Sequence, residues 1–286
     1  MRVRILSPSD MATSNNHTWG DYWAKLDLEA GFSERGYEVV DSGADLDIYL
    51  FGNKSGLERM TAPLKFCWIY SHPSEVSEDI IRRFDHVFVP SRTFLQKVHG
   101  STLLYAGSAK EFVPREVEPE HDLVFLGNTA KSKRVDIVKY LVSLKKYRIA
   151  VGGGGWIREL RDTPEDIFFA GDYVDNSKIG EFFNLGKLSF YSGHEDMCDE
   201  GFVAIRILDT FKSSENLCIV EENVGLSDMF RDVPTYTDKE DLDRKIEWFL
   251  SHPKELDETA LMCREDVQEW TVDRTVTEIE RWIKNG

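Results

Sequence analysis

The sequence predicts an α/β protein with two domains, each built around a parallel sheet. Short apolar segments alternate with amphipathic ones along most of the chain, which is the order that β-α-β units require. This series is interrupted at residues 112–121 (FVPREVEPEH), where two prolines and three glutamates replace the apolar pattern, as in a linker. A length of 286 residues accommodates two such domains. We therefore expect one domain on each side of this segment.

Six strands are expected before the linker, at residues 2–6, 37–40, 47–51, 65–70, 86–89 and 103–105. A helix over residues 22–35 stops at Gly36, and a further helix follows Ser91. These elements define a first domain over residues 1–118.

The second half repeats the alternation. Five strands are expected, at residues 123–127, 148–151, 167–170, 187–191 and 217–221. Six helices are expected, at residues 135–144, 179–185, 201–212, 239–250, 253–270 and 272–284. The polar stretch before residue 201 is expected to be a loop. The second domain is therefore predicted over residues 119–271, and residues 272–286 form a last helix.

The composition excludes some classes of function. The formal net charge of −16 argues against a general binder of nucleic acid or anionic membranes, since such binding requires a lysine- and arginine-rich surface. The four cysteines are scattered without metal-ligand spacing, and Cys67 and Cys218 lie in apolar segments, so buried thiols in a reducing compartment are expected. No signal peptide or membrane-spanning segment is recognisable, and the predicted location is the cytoplasm.

One loop points to a ligand. Residues 194–202 (HEDMCDEGF) place acidic residues, a histidine and a glycine directly before an apolar helix. The backbone N–H groups at a helix N-terminus suit an anion, and acidic side chains suit the hydroxyls of a sugar or ribose. The combination indicates a nucleotide-sugar site.

Longer stretches carry a family resemblance. In the first half they are WGDYWAKLDLEAGFSERGYEV and KFCWIYSHPSEVSEDIIRRFDHVFVPSRTF, and in the second half VFLGN, GGGGW, AGDYV and DMCDEGFVAIRILDTF. Their order resembles the GT-B glycosyltransferases, and more closely the CgeB-like (spore-maturation-type) branch. One segment departs from that branch, because residues 212–216 (KSSEN) replace a small Ala-Cys-Gly type turn.

The resemblance implies two Rossmann-like domains that face each other across a cleft, with the C-terminal helix crossing back to the first domain. It also implies a nucleotide-diphosphate sugar, with a UDP-sugar favoured, as co-substrate, and no permanently bound cofactor. The implied donor-binding residues are Gly127, Asn128, Lys133, Arg134, Gly154, Trp156, Tyr173, Val174, Glu200, Gly201, Phe202, Arg206 and Asp209.

Several of these residues have a structural alternative. The cations Lys133, Arg134 and Arg206 would stabilise a leaving diphosphate, but the first two would equally fit a solvated basic turn. Asp209 would contact the donor or form a buried pair with Arg206, three residues earlier. Trp156 would stack on the base or fill the core.

Four residues are candidates for the chemical step. His17 and Asp21 follow the first strand, and in α/β folds ligands bind at the carboxyl ends of strands. Either would deprotonate an acceptor hydroxyl in an inverting reaction, although Asp21 would also suit a helix N-cap. His72 and His194 are further candidates for the cleft, with a structural role as the alternative. No cluster of residues in the sequence predicts a metal site.

The acceptor is left open among glycan, small molecule, protein and modified DNA, as are the sugar (hexose or pentose), the stereochemistry and the oligomeric state. Two other functions are considered. One is a non-catalytic nucleotide-sugar or glycan-binding protein. The other is a phage-type DNA-base glycosyltransferase acting on hydroxymethylated DNA, which would need a basic stripe formed by Lys54, Arg59, Arg82, Arg83, Arg92 and Lys97.

Overall fold

Two six-stranded parallel sheets form the framework of the protein. A computed structural model describes residues 1–12, 16–161 and 167–285. The first sheet has the order β2-β1-β3-β4-β5-β6 and the second has the order β12-β11-β10-β7-β8-β9. Both sheets and the helices around them confirm the predicted α/β class.

The first half contains β1 (Arg2–Leu6), α1 (Gly20–Glu34), β2 (Glu38–Val39), β3 (Leu46–Phe51), β4 (Leu64–Ile69), α2 (Glu78–Ile81), β5 (His86–Val89), α3 (Arg92–Leu95) and β6 (Thr102–Leu103). The second half contains β7 (His121–Leu126), α4 (Ser132–Ser143), β8 (Ile149–Gly152), α5 (Trp156–Glu159), β9 (Ile167–Phe169), α6 (Ile179–Phe183), β10 (Gly186–Tyr191), α7 (Glu195–Asp199), α8 (Ile205–Ser213), β11 (Leu217–Glu221), β12 (Thr235–Tyr236), α9 (Lys239–Ser251), α10 (Pro253–Asp266) and α11 (Val272–Asn285). Short 3-10 turns lie at Pro8–Met11, Asn16–Thr18, Leu57–Arg59, Pro73–Glu75, Asn176–Lys178 and Leu226–Asp228.

The central strands are apolar on both faces because each sheet is covered on both sides. In β3, Ile48 and Leu50 belong to one apolar cluster, while Tyr49 and Phe51 belong to another on the opposite face. Strands buried on both faces need continuous apolar runs rather than alternation. For the same reason, these strands were predictable from the sequence to within one to three residues.

The C-terminal helix α11 packs on the first half of the chain. Its Val276 and Ile279 are fully buried in the core of the first sheet. A side chain at Gly31 would come within 2.9 Å of Val276, so this glycine lets α1 and α11 approach closely. The aromatic ring of Trp282 stacks on His86 at 3.6 Å. The predicted return of the last helix to the first domain is confirmed.

The chain passes between the two halves at two adjacent places. The Ser108 backbone N–H donates to the carbonyl oxygen of Trp270 at 3.0 Å, and Ser108 forms a bridge with Thr271. These crossings lie near the predicted boundaries at residues 118 and 271, which stay predictions. No described helix is long and apolar enough to cross a membrane.

The strand orders place ligand-binding crevices in each half. The order reverses between β1 and β3 in the first sheet and between β7 and β10 in the second. In open α/β sheets, ligands bind outside the carboxyl ends of strands at such points. The loops that follow these strands face each other across one cleft.

The segment before α8 differs from the prediction. The expected loop contains the helix α7, and the next helix begins at Ile205 rather than at residue 201. Gly201 has a φ of +74°, which ends α7 in a left-handed turn, and Ala204 is extended directly before α8. Helices α1 and α4 begin two and three residues earlier than expected, so Lys133 and Arg134 lie in the first turn of α4.

Candidate functional site

A cavity of about 300 Å³ lies between the two sheets, and we call it the central cavity. The second half contributes the loops after β7, β8, β9 and β10 and the first turn of α8, and the first half contributes the loop before α1 and residues after β4. Its polar and charged lining includes Asn128, Arg134, Asp172, His194 and Arg206. The glycines Gly127, Gly153 and Gly154, with Tyr173 and Val174, complete the second-half wall.

The glycine loop after β8 is packed tightly on the loop after β7. Gly153 has a φ of +113°, and a side chain there would lie 2.4 Å from the carbonyl oxygen of Gly127, so only glycine fits. Gly154 has no protein atom nearer than 3.9 Å to the equivalent position. The loop therefore brings backbone, without side chains, to the cavity.

Trp156 is a core residue. Only 1% of its surface is exposed, and its ring packs on Phe125. The indole Nε1–H donates to the Gly127 carbonyl oxygen at 2.6 Å. Of the two predicted roles, stacking on a base is wrong for this residue, because its ring is enclosed in the apolar core of the second half and its Nε1–H holds the loop that lines the cavity.

Two arginines bring positive charge to the central cavity. Arg134 donates to the carbonyl oxygen of Ser192 at 3.0 and 3.2 Å. Arg206 has a buried Nη1 that makes no hydrogen bond to the described residues and lies 3.7 Å from the carboxylate of Asp209. Arg206 follows the N-cap residue Ala204, and no described side chain caps the first turn of α8. Uncapped N–H groups and a guanidinium together form an anion-binding surface.

Lys133 points elsewhere. Its ammonium group pairs with the carboxylate of Glu221 at the end of β11, and the residue is not part of the cavity wall. The donor contact of Lys133 stays a prediction, and in this structure the charge of Lys133 is balanced by the buried Glu221 carboxylate.

Lys131 is a cation that sequence reasoning missed. Burial lowers the pKa of Lys131 to about 8, and the nearby positive charge of Arg134 acts in the same direction. Lys131 also lies close enough to His194 to affect its pKa. Its place directly before the first turn of α4, beside the two predicted cations, was the available signal.

The first-half wall is aromatic. His17, Trp19, Trp23, Trp68 and Tyr70 line the central cavity. The His17 ring meets the Tyr173 ring edge-on at 4.7 Å, so the two walls touch at this point. A second cavity of about 370 Å³, the adjoining cavity, opens beside the first and shares Trp19, Gly20, Tyr70, Asn128 and His194 with it.

Asp21 lines the adjoining cavity. Its carboxylate accepts a hydrogen bond from the Ser9 backbone N–H at 2.9 Å. The N-cap of α1 is Trp19 rather than Asp21, so the alternative role in capping is wrong. The loop after β1 therefore holds the carboxylate of a residue in the wall of the adjoining cavity.

His72 and His194 come together from opposite halves of the chain. Their rings meet edge-on at 4.5 Å, and both line the adjoining cavity. Burial, together with the nearby charge of Lys131, lowers the pKa of His194 to about 4. Asp196, which sequence reasoning missed, accepts a hydrogen bond from the Ser74 hydroxyl at 2.7 Å. Burial opposes ionisation of Asp196, but the bonds from Ser74 keep its pKa below the usual value.

Glu200, Gly201 and Phe202 lie outside both cavities. The carboxylate of Glu200 binds Lys97 at 2.6 Å, and its carbonyl oxygen accepts from the Ser91 hydroxyl at 2.5 Å. Phe202 is buried against Phe94. The donor contacts of these three residues stay predictions, and in this structure Glu200 and Phe202 contact the first half of the chain.

Asp209 is also absent from the cavity walls. The buried carboxylate accepts a hydrogen bond from the Ser108 hydroxyl at 2.7 Å and pairs with Arg206. The structural alternative is therefore observed, and Asp209 positions Arg206.

The unusual turn at residues 212–216 likewise contributes no residue to the walls of either cavity. There, Asn216 donates to the carbonyl oxygens of Phe183 and Gly186.

A family relationship agrees with this architecture. Residues 133–281, which are half of the chain, match the glycosyl transferase-like family. The chain belongs to this family. The matched segment contains Arg134, His194 and Arg206, and ends within the helix that crosses back. A comparison with curated proteins gives no match.

Solved structures share the fold over the whole chain. Anabaena Alr3699/HepE, in complex with UDP and glucose, has a TM-score of 0.73 at 10% identity, with 100% of both chains covered. Sucrose-phosphate synthase from Thermosynechococcus elongatus has a TM-score of 0.71 at 12% identity, covering 99% of this chain and 98% of that one. T4 phage BGT, in complex with its UDP-glucose substrate, has a TM-score of 0.62 at 10% identity, with coverages of 99% and 98%. The fold is that of the GT-B glycosyltransferases.

Proposed function

We propose that this family member transfers a sugar from a UDP-sugar to a hydroxyl group of an acceptor. The observation that carries the proposal is the central cavity, in which glycine backbone, an uncapped helix start and two arginines face a wall of aromatic side chains. Such a cavity offers one surface for a diphosphate and another for a second substrate. The enzyme would belong to the CgeB-like branch that the sequence resembles.

The donor is assigned to the second-half wall. The diphosphate would contact the first N–H groups of α8, with Arg134 and Arg206 balancing the charge that develops on the leaving group. Gly153 and Gly154 would let the nucleotide lie against the backbone, next to Tyr173 and Val174. The choice of uridine is supported by the UDP and UDP-glucose named for two proteins of the same fold.

The acceptor is assigned to the adjoining cavity. Asp21 would take the proton from the attacking hydroxyl in an inverting reaction, since it lines the adjoining cavity. His17 and the exposed ring of Trp19 would contact the acceptor. The predicted independence from metals in the chemical step stays a prediction, as does the cytoplasmic location.

Two alternatives receive less support from the structure. The basic stripe needed for duplex DNA is largely neutralised, by the pairs Arg59–Asp10, Arg82–Glu78, Arg92–Asp228 and Lys97–Glu200. A non-catalytic module would be indicated by the turn at residues 212–216 and by the spacing of Glu200 and Asp209, and none of these residues lines either cavity.

A thermal-shift panel with UDP, GDP, ADP and TDP, each with and without its sugar, tests the donor. A ligand that binds only the folded state raises the melting temperature, and we expect a selective rise with UDP and UDP-sugars that is lost in Arg206→Ala. Sugar transfer is then tested by adding candidate acceptors to the enzyme and its UDP-sugar and measuring the UDP that is formed. Selective UDP binding without turnover on any acceptor would favour the binding module, and no nucleotide binding would contradict the proposal.

A further inference from the structure

Three side chains with metal-binding atoms meet at the mouth of the cleft. His72 follows β4, while His194 and Asp196 belong to the N-cap and first turn of α7. One ligand atom from each lies within 4.8 Å of the other two, and all three residues are half-buried. His72 is more than a hundred residues away from the other two in the sequence, so no local motif joins the three.

The local structure holds these side chains in place. His72 has a φ of 51°, a left-handed conformation that is uncommon for residues other than glycine and is maintained only where the surroundings enforce it. The Ser74 hydroxyl donates to one carboxylate oxygen of Asp196, and outer contacts of this kind orient metal ligands. The three side chains are thus held in place by the backbone at His72 in the first half and by the contact between Ser74 and Asp196 across the cleft.

We propose that His72, His194 and Asp196 form a binding site for a divalent transition-metal ion that joins the two walls of the cleft. Two imidazoles and one carboxylate form a donor set suited to Zn²⁺, Co²⁺, Ni²⁺ or Mn²⁺. With metal–ligand distances of about 2.1 Å, two ligands of a tetrahedral ion lie about 3.4 Å apart, so ligand atoms that lie within 4.8 Å of one another must approach by up to about 1.4 Å to complete the site.

The neighbouring charges set the expected strength. Lys131 and Arg134 are close enough to affect His194 electrostatically, and their charge opposes a second cation. A site with three protein ligands also keeps a position open for water or a substrate oxygen, here on the side of the adjoining cavity. The ion would therefore bind more weakly than in a closed structural site, and would hold the walls at a fixed separation.

Titration of the full chain with Co²⁺ alone tests this site, because coordinated Co²⁺ has visible absorption bands. We expect saturable binding of one equivalent that is displaced by Zn²⁺. Binding should be at least about tenfold weaker in His72→Asn, in which asparagine tolerates the left-handed backbone, and in Asp196→Asn, which keeps the Ser74 contact. The exposed His99 provides the control variant His99→Ala, with unchanged affinity expected.

Thermal unfolding of each metal-free variant establishes that it is folded. Absence of saturable Co²⁺ binding, or equal affinity in wild type, His72→Asn and Asp196→Asn, would overturn the proposal. Since the readout uses the metal without nucleotide or acceptor, its result is independent of the proposed transfer reaction.

Discussion

The two walls of the central cavity are built in different ways. The second-half wall presents backbone from Gly127, Gly153 and Gly154, the first turn of α8, and two arginines. The first-half wall presents the side chains of His17, Trp19, Trp23 and Tyr70, with Asp21 beside them. Backbone N–H groups and guanidinium ions suit a diphosphate, whereas aromatic faces and a carboxylate suit an uncharged molecule with hydroxyl groups.

This difference shows how a strongly acidic protein can bind an anionic ligand. The net charge is −16, but three cations offset it locally. Lys131 and Arg134 follow β7, and Arg206 lies in the first turn of α8. The net charge of the whole chain therefore argues against binding to extended anionic partners such as nucleic acid. It does not exclude binding of a small anionic ligand.

The largest expected effect is on the first-half wall. Asp21→Asn should lower the transfer rate by about 10²- to 10⁴-fold, the range for loss of a general base, and leave UDP affinity unchanged. Steady-state kinetics and calorimetric UDP titration measure the two quantities, with the exposed Asp79→Asn as control. An equal loss of UDP binding would show that the walls do not divide the task as described.

The second effect is on the opposite wall. Arg206→Ala should weaken UDP binding by about 10- to 100-fold, because a charge-assisted hydrogen bond contributes about 1.5–3 kcal/mol. The matched control is Arg158→Ala, since Arg158 is exposed on α5 and pairs only with its neighbour Glu159 among the described residues. Calorimetric titration with UDP gives both affinities, and unchanged binding in Arg206→Ala would remove Arg206 from the site.

A third prediction distinguishes two adjacent glycines of the second-half wall. Gly153→Ala should destabilise the fold by about 1–3 kcal/mol, because alanine is strained at positive φ and contacts the Gly127 carbonyl. Gly154→Ala should change stability by less than about 0.5 kcal/mol. Urea unfolding of both variants checks this contrast, which would be contradicted by equal costs.

The smallest expected effect lies where the two halves meet. Burial raises the pKa of Asp27 on α1 to about 6, with Lys110 opposing the shift and Asp209 adding to it. Because the folded state holds this proton more tightly than the unfolded state, the stability falls as the pH rises from about 4 to 6.

Asp27→Asn should accordingly stabilise the protein by about 1 kcal/mol at pH 7, after allowance for solvent access, and by little at pH 4. Urea unfolding at both pH values measures this difference. A gain that is the same at pH 4 and pH 7 would show that ionisation of Asp27 is not its cause.

The sequence predicted the sheets well and parts of the site poorly, for physical reasons. Strands such as β3 are buried on both faces, and their apolar runs are visible locally. The position of Arg134 and the glycine loop follows from the strand-loop-helix order, so these residues were correctly placed at the cavity. The pairing of Lys133 with Glu221, or of Glu200 with Lys97, depends on contacts between residues far apart in the chain.

Helix α7 shows that prediction from the sequence can also fail for a short local element. Glu195 and Asp196 at its start match the preference of acidic residues for a helix N-terminus, but a single turn competes with a polar loop of the same composition. The left-handed turn at Gly201 then leaves Glu200, Gly201 and Phe202 outside the cavity walls, and the wall resumes at Val203. A three-residue group such as His72, His194 and Asp196 becomes visible only when the two halves are placed together.

The most direct test of the two-wall description is a crystal structure of the complex with UDP. The diphosphate is predicted to lie within hydrogen-bond distance of the first N–H groups of α8 and of the Arg206 guanidinium, with the base along Gly153 and Gly154. UDP bound against the aromatic side chains of the first-half wall, with its phosphates remote from α8, would contradict the account.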